Sequence, residues 1–98
     1  MQRAALIGAA SGWGAGFRQT QDGPRVLRRL GLAERLSAAG IAAPWTAMVE
    51  AERDHRALLD PTPRERFDLV ARHNAALADA VADAMAAREL PVVLGGDH

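Results

Sequence analysis

Apolar and polar positions fall in blocks along the chain, and the period inside each block differs. Arg3 to Ile7 is a short apolar run closed by Gly8, the pattern of a strand buried on both faces. Ala9 to Gln21 carries Gly12, Gly14 and Gly16 and predicts a long loop, because glycine weakens any regular element. At Asp22-Gly23-Pro24 a helix is predicted: Asp22 or Gly23 can cap it, and Pro24 suits a first turn, where a missing N–H costs nothing. Val26, Leu27 and Leu30 share a face of that helix, Gly31 interrupts, and Leu32 and Leu36 resume the stripe. Gly40 is a natural left-handed stop.

Ile41 to Val49 is apolar and contains Pro44 and Trp45, which predicts a short second strand with the proline near its edge or at a bend. Glu50 to Pro61 is charged and irregular, a solvent loop or frayed helix carrying His55. Thr62-Pro63-Arg64-Glu65 is a helix start: Thr62 can accept from the third helical N–H, and Glu65 can reach back to the Thr62 N–H. From there Phe67, Val70, Ala71, Leu77, Ala78, Val81 and Met85 recur at helical spacing, with Arg64, Asp68, Arg72, Asp79 and Asp83 on the outer face. Pro91 excludes further helix, and Val92-Val93-Leu94 reads as a buried third strand. Strand, helix, strand, long helix, strand is the alternation of an α/β fold, a three-layer αβα arrangement on a mainly parallel sheet. The last strand runs into Gly95-Gly96-Asp97-His98, where a finished domain rarely ends, so residues 1–98 are expected to be the front part of a larger fold.

Composition narrows the function classes. The chain has 98 residues, is 49% apolar and 24% charged, and balances 12 Lys plus Arg against 12 Asp plus Glu. A zero formal charge offers no basic footprint, so neither nucleic acid nor an acidic membrane surface is expected as a partner. With no cysteine, a disulfide framework, a zinc ribbon and thiol catalysis are all excluded, and a cytoplasmic location is expected. No apolar run approaches the roughly 20 residues that span a bilayer.

Several residues could carry chemistry. Gly8-Ala9-Ala10-Ser11-Gly12-Trp13-Gly14 has the glycine spacing of a short-chain dehydrogenase nucleotide loop, but Gly16 and Asp22-Gly23-Pro24 leave no room for the helix such a loop must open. A GxxxxGK[ST] loop is excluded because the chain has no lysine. His55, beside Asp54, and His73, near the polar flank of the long helix, have no partner at ligand spacing and read as exposed or capping residues. Ser11 and Ser37 lack a nucleophile elbow. Trp13 and Trp45 read as anchors, Trp13 being the better placed to face a site or a subunit neighbour. His98 differs: it follows an apolar strand and two glycines, so it belongs at the carboxyl end of a strand, where α/β sheets collect ligands. Asp97 could fix the other ring N–H of a ligating imidazole. By spacing alone, one histidine fits a structural loop as well as a metal site.

Val92-Val93-Leu94-Gly95-Gly96-Asp97-His98 resembles the first metal-binding motif of the ureohydrolases, the arginase, agmatinase and formiminoglutamase superfamily. Gly8, Gly14, Gly23-Pro24 with Val26-Leu27-Arg28, and Gly31-Leu32 stand in the order and spacing of the arginase N-terminal region, which favours the arginase branch. Ala9-Ala10 replaces the usual proline after the first glycine, and residues 41 to 63 match nothing specific. The resemblance implies a binuclear Mn(II) hydrolase acting on a guanidino substrate such as arginine, in which a bridging hydroxide attacks the guanidinium carbon and urea leaves. It implies His98 as one metal ligand, the other ligands lying beyond position 98, so that the 98 residues alone are inactive. It further implies a homo-oligomer, trimer or hexamer, in the full-length protein. Two other classes stay open: a nucleotide-binding half-domain, marked by a helix opening at Gly14, and a non-catalytic interaction module.

Overall fold

The computed structural model describes residues 3–11, 22–50 and 62–95. In chain order these form strand β1 (Ala4–Ala10), helices α1 (Gly23–Arg29) and α2 (Leu32–Ala38), strand β2 (Trp45–Glu50), helix α3 (Pro63–Ala86) and strand β3 (Leu90–Gly95). The sheet order is β2-β1-β3, and both pairings are parallel. This is the α/β architecture that the alternation predicts. No helix among the described residues is long and apolar enough to cross a membrane.

β1 is the middle strand and is longer than its apolar run suggests, passing through Gly8 to Ala10. Its small side chains let other elements approach both faces. On one face Ala5 and Ile7 are fully buried with Ala84 of α3, and Leu77, Ala80, Val81, Ala47 and Val49 pack against them. On the other face Gly8 lies opposite Met48 of β2 and beneath Pro24 of α1. A Cβ at Gly8 would overlap the Met48 sulfur and methyl and come within 3.0 Å of the Pro24 Cβ. Gly8 is therefore a packing glycine, and Pro24, among the most deeply buried side chains, is the part of α1 that uses the space.

The segment between β1 and β2 divides into two helices where one interrupted helix is predicted. Gly31 takes φ +80°, which ends α1 and makes it the N-cap of α2, and Gly40 at φ +86° follows the end of α2. Asp22 is the N-cap of α1, but its side chain makes no capping bond and instead lies 3.7 Å from Arg25. Pro44 comes just before β2, and its carbonyl accepts the Leu6 N–H at 2.9 Å, so the ring that lacks a donor sits where only an acceptor is needed.

α3 begins with the predicted capping box: the Glu65 N–H donates to Thr62 Oγ1 at 3.2 Å, and the Thr62 N–H donates to Glu65 Oε1 at 3.1 Å. Its inward face differs from the predicted one. Leu69, His73 and Ala84 are buried, with Leu77, Ala80 and Val81 partly so, whereas Phe67 is 70% and Met85 64% exposed. The apolar arc of α3 is wider than the strip the sheet covers, and Phe67 and Met85 fall on its uncovered side. His73 is consequently a buried residue, 7% exposed, and not one of the polar flank. The helix closes without glycine: Arg88 adopts φ +59°, and the Glu89 N–H returns to the Ala84 carbonyl at 2.9 Å.

β3 also departs from the sequence reading, because among the described residues it lies at an edge of the sheet and Val93 is 37% exposed. The Leu90 N–H donates to the Arg3 carbonyl at 2.8 Å, and an Arg3–Glu89 ion pair at 3.0 Å holds the same end.

Two expectations follow for stability. Gly8→Ala loses about 1 to 3 kcal/mol, because Met48 can move but the Pro24 ring cannot; a urea titration with an unchanged slope measures it. Hydrogen bonds from the Thr62 side chain and then its backbone lower the Glu65 pKa below its ordinary 4.5. The carboxylate form is favoured in the folded chain, so this contribution is complete above the ordinary value and disappears as pH falls through the lowered one. Glu65→Gln flattens that part of the acid transition followed by circular dichroism, and Thr62→Ala costs about 1 kcal/mol at neutral pH.

Candidate functional site at the strand ends

Parallel strands place their carboxyl ends on one rim, and here that rim is formed by Ser11 after β1, Glu50 ending β2 and Gly95 ending β3. The register sets the height of each: Ala9 is opposite Gly95, and Ala10 is opposite Glu50. Ser11 is 4% exposed, and its N–H turns back to the Ala9 carbonyl at 3.1 Å, so the chain bends as it leaves the sheet. In open α/β sheets this rim is the usual place for ligands and catalytic groups.

The start of α1 completes the rim. A Cβ at Gly23 would lie 3.7 Å from the Gly95 carbonyl oxygen, so the first turn of α1 abuts the end of β3. Arg25, two residues further in the same turn, pairs with Glu50 of β2 and lies 3.7 Å from Asp22. One guanidinium thus ties the first turn of α1 to the end of β2. Glu50 and Asp22 are about half exposed, and pairs of this kind contribute roughly 0 to 1 kcal/mol, so the cluster orients more than it stabilises. Nothing in the residues between Gly8 and Gly40 announces this link, because Arg25 and Glu50 are 25 positions apart.

The predicted site residues divide into two groups. Gly8, Gly23-Pro24 and Gly95 meet at or just below this rim, as strands read as parallel neighbours require. Gly96, Asp97 and His98, together with Gly12, Trp13, Gly14 and His55, lie outside the described residues, as does a helix opening at Gly14. β3 delivers the chain to Gly96-Asp97-His98 at Gly95, on the same rim as Ser11 and Glu50. His73 is embedded in the inner face of α3 with Leu69, and the spacing of Leu69, His73, Leu77 and Ala84 is the signal that identifies it as a packing residue. Trp45 is half-buried at the amino end of β2, the rim opposite the candidate site. A groove of about 360 Å³ lined by Arg3, Glu34, Ser37, Ala43 and Pro44 is also at the amino-end rim. Among the described residues, no three His, Cys, Asp or Glu side chains gather as a metal-binding group.

No protein-family model matches the sequence, and no curated protein does. Among solved structures, the arginase of Bacillus subtilis matches with a TM-score of 0.79 and 26% identity over 99% of this chain. The match spans 30% of the arginase chain, so these 98 residues correspond to less than a third of it. The fold formed by β1 to β3 and their helices is arginase-like.

Proposed function

We propose that these 98 residues are the N-terminal part of an arginase-like ureohydrolase domain, a hydrolase of a guanidino substrate such as arginine. One observation carries the reading: the backbone of nearly the whole chain follows an arginase, and the strand that leads into Gly95-Gly96-Asp97-His98 ends on the ligand-collecting rim. The 26% identity over the same span supports it.

The roles available within this chain are limited and specific. His98 would be one ligand of a manganese pair and Asp97 would hold the imidazole in its ligating tautomer. Such a pair, when bound, supplies a water that is deprotonated near neutral pH and a clamp for the charge that develops on the attacked carbon. The first turn of α1 abuts the end of β3 at Gly95, and Arg25 anchors that turn of α1 to β2. A single imidazole does not hold a hard divalent ion that prefers several oxygen ligands, so the centre belongs to the arginase-length protein, acting as a cytoplasmic homo-oligomer.

The 98-residue chain alone therefore hydrolyses no arginine, and isothermal titration with Mn(II) gives only weak binding. A tight stoichiometric manganese complex of this chain would contradict the reading. In an arginase-length chain that carries these residues as its N-terminal part, His98→Ala lowers manganese affinity at one position by at least roughly 10- to 100-fold while the unfolding midpoint stays near that of the parent. His73→Ala has the reverse effect: it opens a cavity under α3, lowers stability and leaves metal stoichiometry unchanged. Full metal loading and normal turnover in the His98 variant, read by elemental analysis and urea release, would remove the basis for the proposal.

A further inference from the structure

The groove at the amino-end rim is built from three stretches of this chain: Arg3 before β1, Ala33, Glu34 and Ser37 of α2, and Ala43-Pro44 leading into β2. Ala33 and Ser37 are four positions apart and Glu34 and Ser37 three, so all of them share one face of α2. The left-handed Gly40 then turns the chain back, and the Ile41 N–H donates to the Leu36 carbonyl at 2.8 Å. Beyond that turn the Ala4 N–H donates to the Ala42 carbonyl at 3.0 Å, and the Leu6 N–H to the Pro44 carbonyl at 2.9 Å. These bonds hold buried Ala43 as the floor and set Arg3 beside it.

The lining presents opposite charges over an apolar floor. Glu89 meets the Arg3 Nε at 3.0 Å, but a guanidinium has five N–H donors, and the Arg3 side chain is more than half exposed, so donors remain for a second acceptor. Glu34 has no ion-pair partner among the described residues, and Ser37 adds a hydroxyl that donates or accepts. A simple anion that meets Arg3 is repelled by Glu34 and Glu89, and a simple cation that meets Glu34 is repelled by Arg3. A small molecule with both charges close together satisfies both groups. The groove, about 360 Å³, is larger than such a charged head, and Ala33, Ala43 and Pro44 make the remainder apolar.

We infer that this groove binds a free α-amino acid with an apolar side chain. Its carboxylate accepts from Arg3, its ammonium donates to Glu34 and Ser37, and its side chain covers Ala33, Ala43 and Pro44. The floor is held by main-chain hydrogen bonds, so the site is formed before the ligand arrives. Gly95 is on the opposite rim, which makes this site separate from the one proposed for the guanidino substrate and independent of that proposal.

The test follows the amide NMR spectrum of the isotope-labelled 98-residue chain during titration with L-phenylalanine. Parallel titrations use phenethylamine, which lacks the carboxylate, and hydrocinnamate, which lacks the ammonium. L-Phenylalanine is expected to shift the Arg3, Glu34, Ser37 and Ala43 amides saturably, with a Kd of about 1 mM, and to leave Val93 and Gly95 in place. Both analogues bind at least about tenfold more weakly, because each leaves one charged group of the groove unpaired. Glu34→Gln weakens L-phenylalanine but not hydrocinnamate, and Arg3→Gln weakens L-phenylalanine but not phenethylamine. Should Arg3→Gln, which also breaks the pair with Glu89, fail to fold, the exposed Glu34→Gln and the two analogues decide the matter. The inference is overturned by an absence of saturable shifts with L-phenylalanine, by an analogue that binds as tightly as the amino acid, or by shifts centred away from the groove.

Discussion

The structure depends on β1. Among the described residues both β2 and β3 hydrogen-bond to this one strand, and α1 and α3 cover its two faces. A parallel strand buried on both sides must be apolar throughout and narrow enough for helices to approach, and Ala-Ala-Leu-Ile-Gly-Ala-Ala meets both needs. Gly8 is the tightest point of this arrangement, because it admits Pro24 and Met48 at once. Among the described residues, Phe67 and Met85 of α3 and Leu90 and Val93 of β3 are exposed.

β1 also sets the geometry of the candidate site. Its parallel register with both neighbours brings Ser11, Glu50 and Gly95 to one rim, and the same strand supports the first turn of α1 that abuts Gly95. Gly95, the end of β3, therefore lies beside a helix start whose arginine is held by two carboxylates. Its position is a consequence of strand direction: had β3 run antiparallel, Gly95 would lie with Trp45 and Arg3 at the other rim.

Elements governed by local chemistry were legible in the chain. Thr62 and Glu65 form their capping box with partners three residues apart, and Gly31 and Gly40 take the left-handed backbone that other residues avoid. The strand ends were less legible, since Gly8 reads as a terminator until Met48 and Pro24 are seen to need its missing side chain. Arg88 shows the converse, a helix stop made by a residue with no propensity for it, imposed because β3 must begin at once beside β1.

The order of strands and helices, the α/β class and the glycine-histidine motif after a strand are all legible in the chain, because hydrophobic period, caps and turn residues act over a few positions. Tertiary structure alone decided which apolar residues are inside. α3 has apolar residues around much of its circumference, and packing against Ala5 and Ile7 selects Ala84, Leu77, Ala80 and Val81, while Phe67 and Met85 stay exposed. It also decided that β1 stands between β2 and β3 and that Arg25 reaches Glu50, since strand order and contacts between distant residues arise from how the layers stack and leave no periodic trace in the chain.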